Sequence, residues 1–447
     1  MTTVLLADRD GAAFGPLAAR VVPALLPLAG VPLLERALEA LVAAGRRSAL
    51  LVVGPRAGEV ERRFGKGIRW GIALEIVRRE DGESAGDVLR RLEHRLDGET
   101  IVVRGDIGVH AAIGEFLHKV EDARGPVVEA TIGGRPAGMW RILPGALKKK
   151  DFPREPGAPE WAHDLDFAAL PLTAIPVLVD SVAAYRRADA AHANGTTALS
   201  ERARADGGAR LEGSTTVGEE SAVLSGARLV NTSVLPKSAI PPGVTLEDAV
   251  VSGNLAVDAA TGQASLLTDQ LPAAAGTHGN GRALGVAALA LSLPLWPVAA
   301  VWSAIANAGH ATGPVTLAGN APGGGRAPFT TFRFETAVPV LRDLPLLLAV
   351  VRGRLALTGV TPLTPAEEAA LTEPWEKVRH EAPAGLVSLA RLAVPASAPP
   401  EVSRVVDAFE ARRPSALLGR ALGALFSARA WTAPKGWNPD ELRDEKS

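Results

Sequence analysis

The sequence predicts an α/β fold in three parts. A mostly parallel sheet fills about the first 200 residues, a short β-helix follows, and a membrane-associated α/β part comes last. Three observations lead there. Strand-like and helix-like segments alternate up to about residue 200. Aliphatic residues then recur at steps of five or six between 205 and 260, and residues 283–309 carry no charged side chain.

The alternation is read element by element. Thr3–Ala7 is a short apolar run of the kind buried in parallel sheets. Residues 8–30, rich in Gly, Pro and Ala, read as a long loop. Pro32–Ala44 has apolar residues at helical spacing and stops at Gly45. Ser48–Val53 is a second strand, a helix follows over 57–64, and Ala73–Val77 is a third strand. Ser84 caps a helix over 84–96. Thr100–Val103 is a fourth strand, ending in Arg104-Gly105-Asp106, and a strand at Ile175–Val179 leads through Asp180 to a helix containing Tyr185. Ligands of such sheets sit at the carboxyl ends of strands, which points to residues 8–16 and Asp106. Residues 144–163 read as a polar, Pro-rich excursion.

From 205 the period changes. Leu211, Val217, Val223, Leu229, Val234, Ile240, Leu246, Val251 and Val257 are separated by small residues and turn formers, the signature of a hexapeptide β-helix with one inward aliphatic per strand. Residues 262–282 read as a linker. The uncharged segment 283–309 is long enough to cross a bilayer. Pro294 and Pro297 break its middle, so a re-entrant helix competes with a span, and a buried helix pair of a soluble protein competes with both. Gly313–Pro328 is Gly/Pro-rich, and 415–426 reads as an Ala/Leu helix with Arg412, Arg413 and Arg420 near it. The pattern changes divide the chain into 1–203, 204–262, a linker 263–282, the apolar segment 283–309, 310–430 and a polar tail 431–447.

Composition narrows the function. With 48 Lys+Arg against 49 Asp+Glu, the formal net charge is −1, and no nucleic-acid partner is expected from bulk charge. The absence of cysteine excludes a disulfide scaffold, a thiolate nucleophile and Cys-ligated metal. The eight histidines show no metal-ligand spacing, and no phosphate-binding G-x-x-x-x-G-K-[ST], G-x-S-x-G or H-E-x-x-H motif occurs. Mean hydropathy is +0.14, high for a soluble protein.

Residues 6–17, LADRDGAAFGPL, and 22–33, VPALLPLAGVPL, together with Ser84-Ala85-Gly86, Gly105-Asp106 and the spacing from Asp180 to Tyr185, carry a resemblance over about residues 1–200. They resemble the sugar-1-phosphate nucleotidylyltransferases, the nucleotide-sugar pyrophosphorylases. The resemblance implies a Rossmann-like nucleotidyltransferase sheet followed by a short left-handed β-helix. It also implies substrate-binding roles for Arg9, Gly11, Ser84, Ala85 and Gly86, and Mg²⁺ held by Asp106 and Asp180. On residues alone, the two aspartates read equally as strand-end carboxylates capping helices. The family's loop arginine is Ala13 here, its first loop glycine is Arg9, and its lysine is Pro23. Transfer to phosphate relies on cationic stabilisation of spreading charge, and these positions lack it.

The C-terminal residues resemble the bacterial sugar transferases that act on polyprenol phosphate. The resemblance is carried by Ser292-Leu293-Pro294, Gly313-Pro314-Val315, Arg326 to Arg333, and the run LRDLPLLLAVVRGRLALTGVTP at 341–362. It implies a sugar-transferase-like domain with Arg333 in substrate binding and a carboxylate nucleophile. The family's nucleophilic Asp is Arg342 here. Asp343 stands one position later, as the candidate catalytic residue or as a helix carboxylate beside Pro345. The family's phosphate-clamping Arg is Thr361.

Three readings follow. The first is a membrane-associated protein of bacterial surface-polysaccharide assembly, at the cytoplasmic face of the cytoplasmic membrane. It binds nucleotide sugar or sugar phosphate, contacts polyprenol phosphate and other assembly proteins, and is catalytically degenerate, with a regulatory or scaffolding role. The second is an active transferase working through Asp106 and Asp180 or through Asp343. The third is a soluble oligomer with the β-helix as its interface.

Overall fold

The computed structural model describes residues 2–146 apart from 55, 81, 97 and 109; 167–271 apart from 174–177; 281–306; 311–425 apart from 323, 396 and 415–416; and 431. The excursion at 147–163, residues 175–177 of the expected strand and the tail beyond 431 lie outside the described residues.

The N-terminal part is one seven-stranded sheet. Its strands are β1 (Thr2–Ala7), β2 (Ser48–Val53), β3 (Ala73–Arg78), β4 (Thr100–Arg104), β5 (Val127–Ile132), β6 (Arg135–Ile142) and β7 (Phe167–Pro171), in the order β3-β2-β1-β4-β6-β5-β7. β3, β2, β1 and β4 pair in parallel; β6 runs antiparallel to both its neighbours. The apolar runs bury both faces. Helices α1 (Leu33–Ala43), α2 (Ala57–Phe64) and α4 (His110–Lys119) cover one side and α3 (Ala85–Arg91) the other, as crossover connections require. α4, β5 and β6 were not anticipated from the sequence. The turn between β5 and β6 carries Gly133 and Gly134, both at positive φ, a two-residue hairpin signal.

Residues 8–30 are not an open loop. Ala12–Leu17 and Pro23–Leu25 form 3₁₀ turns, and Pro27–Leu28 pairs with Val31–Pro32. Phe14 and Leu17 fix the first turn. They bury into a cluster with Val182 and Tyr185 of α5 (Val182–His192) and Val257. The helix expected over 84–96 is shorter: Ser84 caps α3 and a separate turn covers Glu93–Arg95.

The middle part winds through three parallel ladders. Ala198 pairs with Thr216, Thr216 with Ser233, and Ser233 with Val250, a rise of 17 or 18 residues per coil. The second and third ladders follow the same spacing. Inside lie Val217, Val223, Leu229, Val234, Ile240, Leu246 and Val251. Val257, expected as the next inward aliphatic, instead faces the N-terminal part, because Leu255–Asp258 turns back antiparallel to Ala249–Ser252. Ala264–Leu266, expected in a linker, adds one more antiparallel strand at this end.

The C-terminal part begins with two helices, α6 (Arg282–Ser292) and α7 (Leu295–Ala306), bent by 65° at the break near Pro294. α7 packs on a long two-stranded ribbon, Thr312–Asn320 with Arg326–Phe334, within the stretch the sequence marked as Gly/Pro-rich. The short helices α8 (Pro339–Asp343) and α9 (Leu346–Val351) complete this core. Gly285 allows the approach, since a Cβ there would meet Val350 Cγ1 at 2.6 Å. The helix Pro400–Arg412 buries Val402, Val405, Val406 and Phe409 against Ala222, Leu224 and Ala239 of the coiled ladders. The ladders therefore lie between the other two parts.

Candidate functional site

The carboxyl edge of the sheet is built from the residues that follow β1 and β4. Asp8, one position past β1, and Asp106, two past β4, are 2% and 0% exposed. Arg104, the last residue of β4 and 1% exposed, places Nη1 3.1 Å from Asp8 Oδ1 and 3.4 Å from both Asp106 oxygens. Arg79 Nη1 donates to Asp8 Oδ2 at 3.2 Å. Two glycines make the edge close enough for this: a Cβ on Gly54 would stand 2.5 Å from the Asp8 carbonyl oxygen, and one on Gly105 2.7 Å from Leu34 Cδ1. Burial raises the Asp106 carboxyl above its ordinary value and the Asp8 charge adds to this, against the pull of Arg104 and Arg9.

Arg9 is anchored rather than free to meet a phosphate. Its backbone N–H donates to Asp106 Oδ2 at 3.3 Å and its Nη1 donates to the Val179 carbonyl at 2.9 Å. Val179 N–H in turn donates to the Ile107 carbonyl, which brings the exposed Asp180 to the same edge. Gly11 serves the turn that follows it: at φ 87°, with Val21 and Ala18 carbonyls 3.1 and 3.2 Å from an added Cβ, it leaves no room for a side chain. Ala13 is exposed and Pro23 buried, so neither puts charge on this edge. Arg56 holds the loop down through the Ala18 and Ala19 carbonyls. The cavity between loop and sheet, lined by Ala7, Arg9, Asp10, Val22, Gly54, Arg56 and Val60, measures about 20 Å³, room for an ordered water.

Ser84, Ala85 and Gly86 begin α3. Ser84 Oγ accepts from Asp87 N–H and donates to the Asp87 carboxylate at 2.6 Å, while Ala85 and Gly86 are buried. The hydroxyl is spent on a capping box, and the Asp87 carboxyl is held down to about 2, chiefly by the Ser84 side chain and backbone.

The expected Mg²⁺ pair was tested on these donors. Asp106 points its oxygens at a guanidinium, and Asp180 is exposed with its Oδ1 accepting from Ser181 Oγ at 3.3 Å. Mg²⁺ needs near-octahedral oxygen donors at about 2.0–2.1 Å. The place where Asp106 would offer them is filled by Arg104, so the residues present do not fit the ion. Among the described residues no group of three or more His, Asp or Glu could hold a metal.

A second charged cluster lies at the end of α8. Asp343 meets Arg333 at 3.1 Å, Arg391 at 3.2 Å and Arg342 at 3.4 Å. Burial alone would raise its carboxyl, but the three guanidiniums override this and hold it well below the usual carboxylate range. The structure thus joins Arg333 to Asp343, two residues selected from the sequence, and adds Arg391. Thr361 is held by another buried pair: its N–H donates to Asp407 at 3.2 Å and its carbonyl accepts from Arg379, which also pairs with Asp407 at 3.1 Å. Arg379 is thus committed to Asp407 and the Thr361 carbonyl.

The sequence missed Asp8, Arg79, Arg104, Arg391, Arg379 and Asp407 as members of these clusters. Arg104 left a signal, a cation ending the apolar run Thr100–Val103 immediately before Gly105-Asp106. The others converge only through the fold.

Comparison with known proteins follows the same division. The model of the nucleotidyl transferase family matches residues 2–138. Among solved structures, one described as a glucose-1-phosphate thymidylyltransferase from Bacillus anthracis, in complex with a sucrose, aligns at 13% identity and a TM-score of 0.34. The alignment covers 43% of this chain and 95% of that one. The family match falls within the N-terminal sheet, whose strands are mostly parallel.

Proposed function

We propose that this chain is a non-transferring, nucleotidyltransferase-like protein of surface-polysaccharide assembly. It docks on a membrane and takes a nucleotide sugar or sugar phosphate as ligand rather than as reactant. One observation carries the reading: at the strand ends where phosphate and metal would be handled, Arg104 stands between Asp8 and Asp106, with Arg79 on the other Asp8 oxygen. Transfer needs charge stabilisation that strengthens as the transition state forms. A buried guanidinium locked between two carboxylates, with Ala13 and Pro23 at the cationic positions, offers none. The exposed apolar face of α6 and α7 supports the membrane role. A nucleoside triphosphate panel with sugar 1-phosphates and Mg²⁺ tests the reading. Pyrophosphate release at the no-enzyme rate is expected, and turnover lost in D106N would overturn it.

The C-terminal cluster favours a second reading, an active sugar-phosphate transferase. Asp343 is ionised, as a nucleophile must be, and three guanidiniums stand beside it to attract phosphate. Transfer of sugar phosphate to polyprenol phosphate, abolished in D343N, would select it.

A further inference from the structure

The disagreement between the donors and Mg²⁺ has a definite geometry. Three carboxylate oxygens, Asp8 Oδ1 and both Asp106 oxygens, converge on one nitrogen, Arg104 Nη1, at 3.1–3.4 Å. Arg79 occupies the remaining Asp8 oxygen and Arg9 N–H reaches Asp106 Oδ2. Both carboxylates and Arg104 are almost fully buried. Such a pair cannot stay ionised in a dry site without a cation at its centre, and the protein supplies it covalently.

We propose that Arg104 is a built-in substitute for a divalent cation, and that the Asp8–Asp106 pair is a latent divalent-cation site opened by removing the guanidinium. In the native chain the site is closed, because an incoming ion would have to displace a buried guanidinium from between the two aspartates. Truncating Arg104 leaves two facing carboxylates whose repulsion a hydrated Mg²⁺ or Mn²⁺ relieves, since these ions accept one or two protein carboxylates and keep water on their other positions. Exchange of a fixed charge for a mobile one makes stability depend on metal concentration. The inference rests on the non-transferring reading of the same edge but is measured by binding, not by turnover.

The experiment is Mn²⁺ equilibrium dialysis and thermal unfolding of the full chain, R104A, R104Q, R104K and R104A/D106N. The native chain and R104K are expected to bind no Mn²⁺ at sub-millimolar concentration and to keep their Tm in 5 mM Mg²⁺. R104A and R104Q should lose at least about 5 °C without metal, recover much of it with Mg²⁺ or Mn²⁺, and bind one Mn²⁺ that R104A/D106N loses. Mn²⁺ held by the native chain and lost on changing Asp106 would overturn the proposal, as would folded R104A or R104Q that bind none. If neither truncation folds even with metal present, the pair cannot accept an ion and the proposal also fails. Turnover by the native chain with no Mn²⁺ bound at Asp106 would defeat the non-transferring reading while leaving the substitution of Arg104 for metal standing.

Discussion

Asp343 is surrounded by Arg333, Arg342 and Arg391, so removing its charge leaves three guanidiniums facing one another. Asp343→Asn should cost about 3–5 kcal/mol by urea denaturation at pH 7. Its folded pKa lies below the ordinary value, so this stabilisation is complete above about pH 4 and fades as the carboxylate protonates. The cost of the substitution should shrink in step; a pH-independent difference would contradict the ion cluster. A second pH effect belongs to His110, whose Nε2 meets His192 Nε2 at 3.2 Å. Burial first, then Arg36 and His192, hold its imidazole down to about 4. A folded value below the unfolded one means that stability is full above about pH 6.5 and is lost as pH falls toward 4. The loss should be about 1–2 kcal/mol once screening at the ring's exposed edge is discounted. Unfolding of the native chain and His110→Gln at pH 7 and pH 5 reads it: the native chain should lose more over this interval. The residue types at these centres were partly readable. Asp106, Arg333 and Asp343 stood in recognisable segments, but other members of their clusters lie 48 and 98 positions away, Arg391 from Asp343 and Asp8 from Asp106.

At the scale of elements, periodicity was the most informative signal where each element packs against near neighbours. The strands ending at Ala7, Val53 and Arg104 and the helices α1 and α2 lie within a residue or two of their expected places. It failed where Gly and Pro mask a ribbon, as at 312–334. Each strand of a two-stranded ribbon has a ladder on one side alone, so the ribbon tolerates Pro314 and Pro328 where a central strand would not. The apolar pair α6–α7 is the element with the clearest external prediction. Among the described residues no single helix is long and apolar enough to cross a membrane, though the bent pair together meets that length and composition. Its outer face exposes Leu291 at 81% and Ile305 at 77%, with Leu284, Val286, Leu293, Val298, Val301 and Trp302 more than half exposed. Leu291→Asp with Ile305→Asp should leave the Tm nearly unchanged, because both side chains already face outward, and should abolish flotation with lipid vesicles. Undiminished flotation would remove the membrane role from this face.

At the scale of the molecule, the coiled ladders couple the two flanking parts. Asp189 of α5 is 1% exposed and accepts from Ala29 N–H at 2.8 Å and from the hydroxyls of Thr216 and Ser233 on successive coils. Arg20 reaches the Ser252 carbonyl and Asn254, while Arg204 donates to the Val394 carbonyl and Arg420 pairs with Asp206 on the other side. Asp189→Ala strands two buried hydroxyls and the half-buried Ala29 N–H. It should cost about 3 kcal/mol or more and separate unfolding of the sheet from that of the ladders in urea, followed by tryptophan fluorescence and circular dichroism; a single unshifted transition would contradict the coupling. By itself the sequence determined the alternating sheet, the repeat with its six-residue step and the broken apolar segment, because all of these are local in the chain. Only the tertiary structure decided that Arg104 closes the Asp8–Asp106 pair, that Val257 leaves the repeat to face the N-terminal part, and that the apolar pair keeps one face open. Charge compensation and burial depend on which distant residues the fold brings within a few ångströms, and no local pattern records that distance.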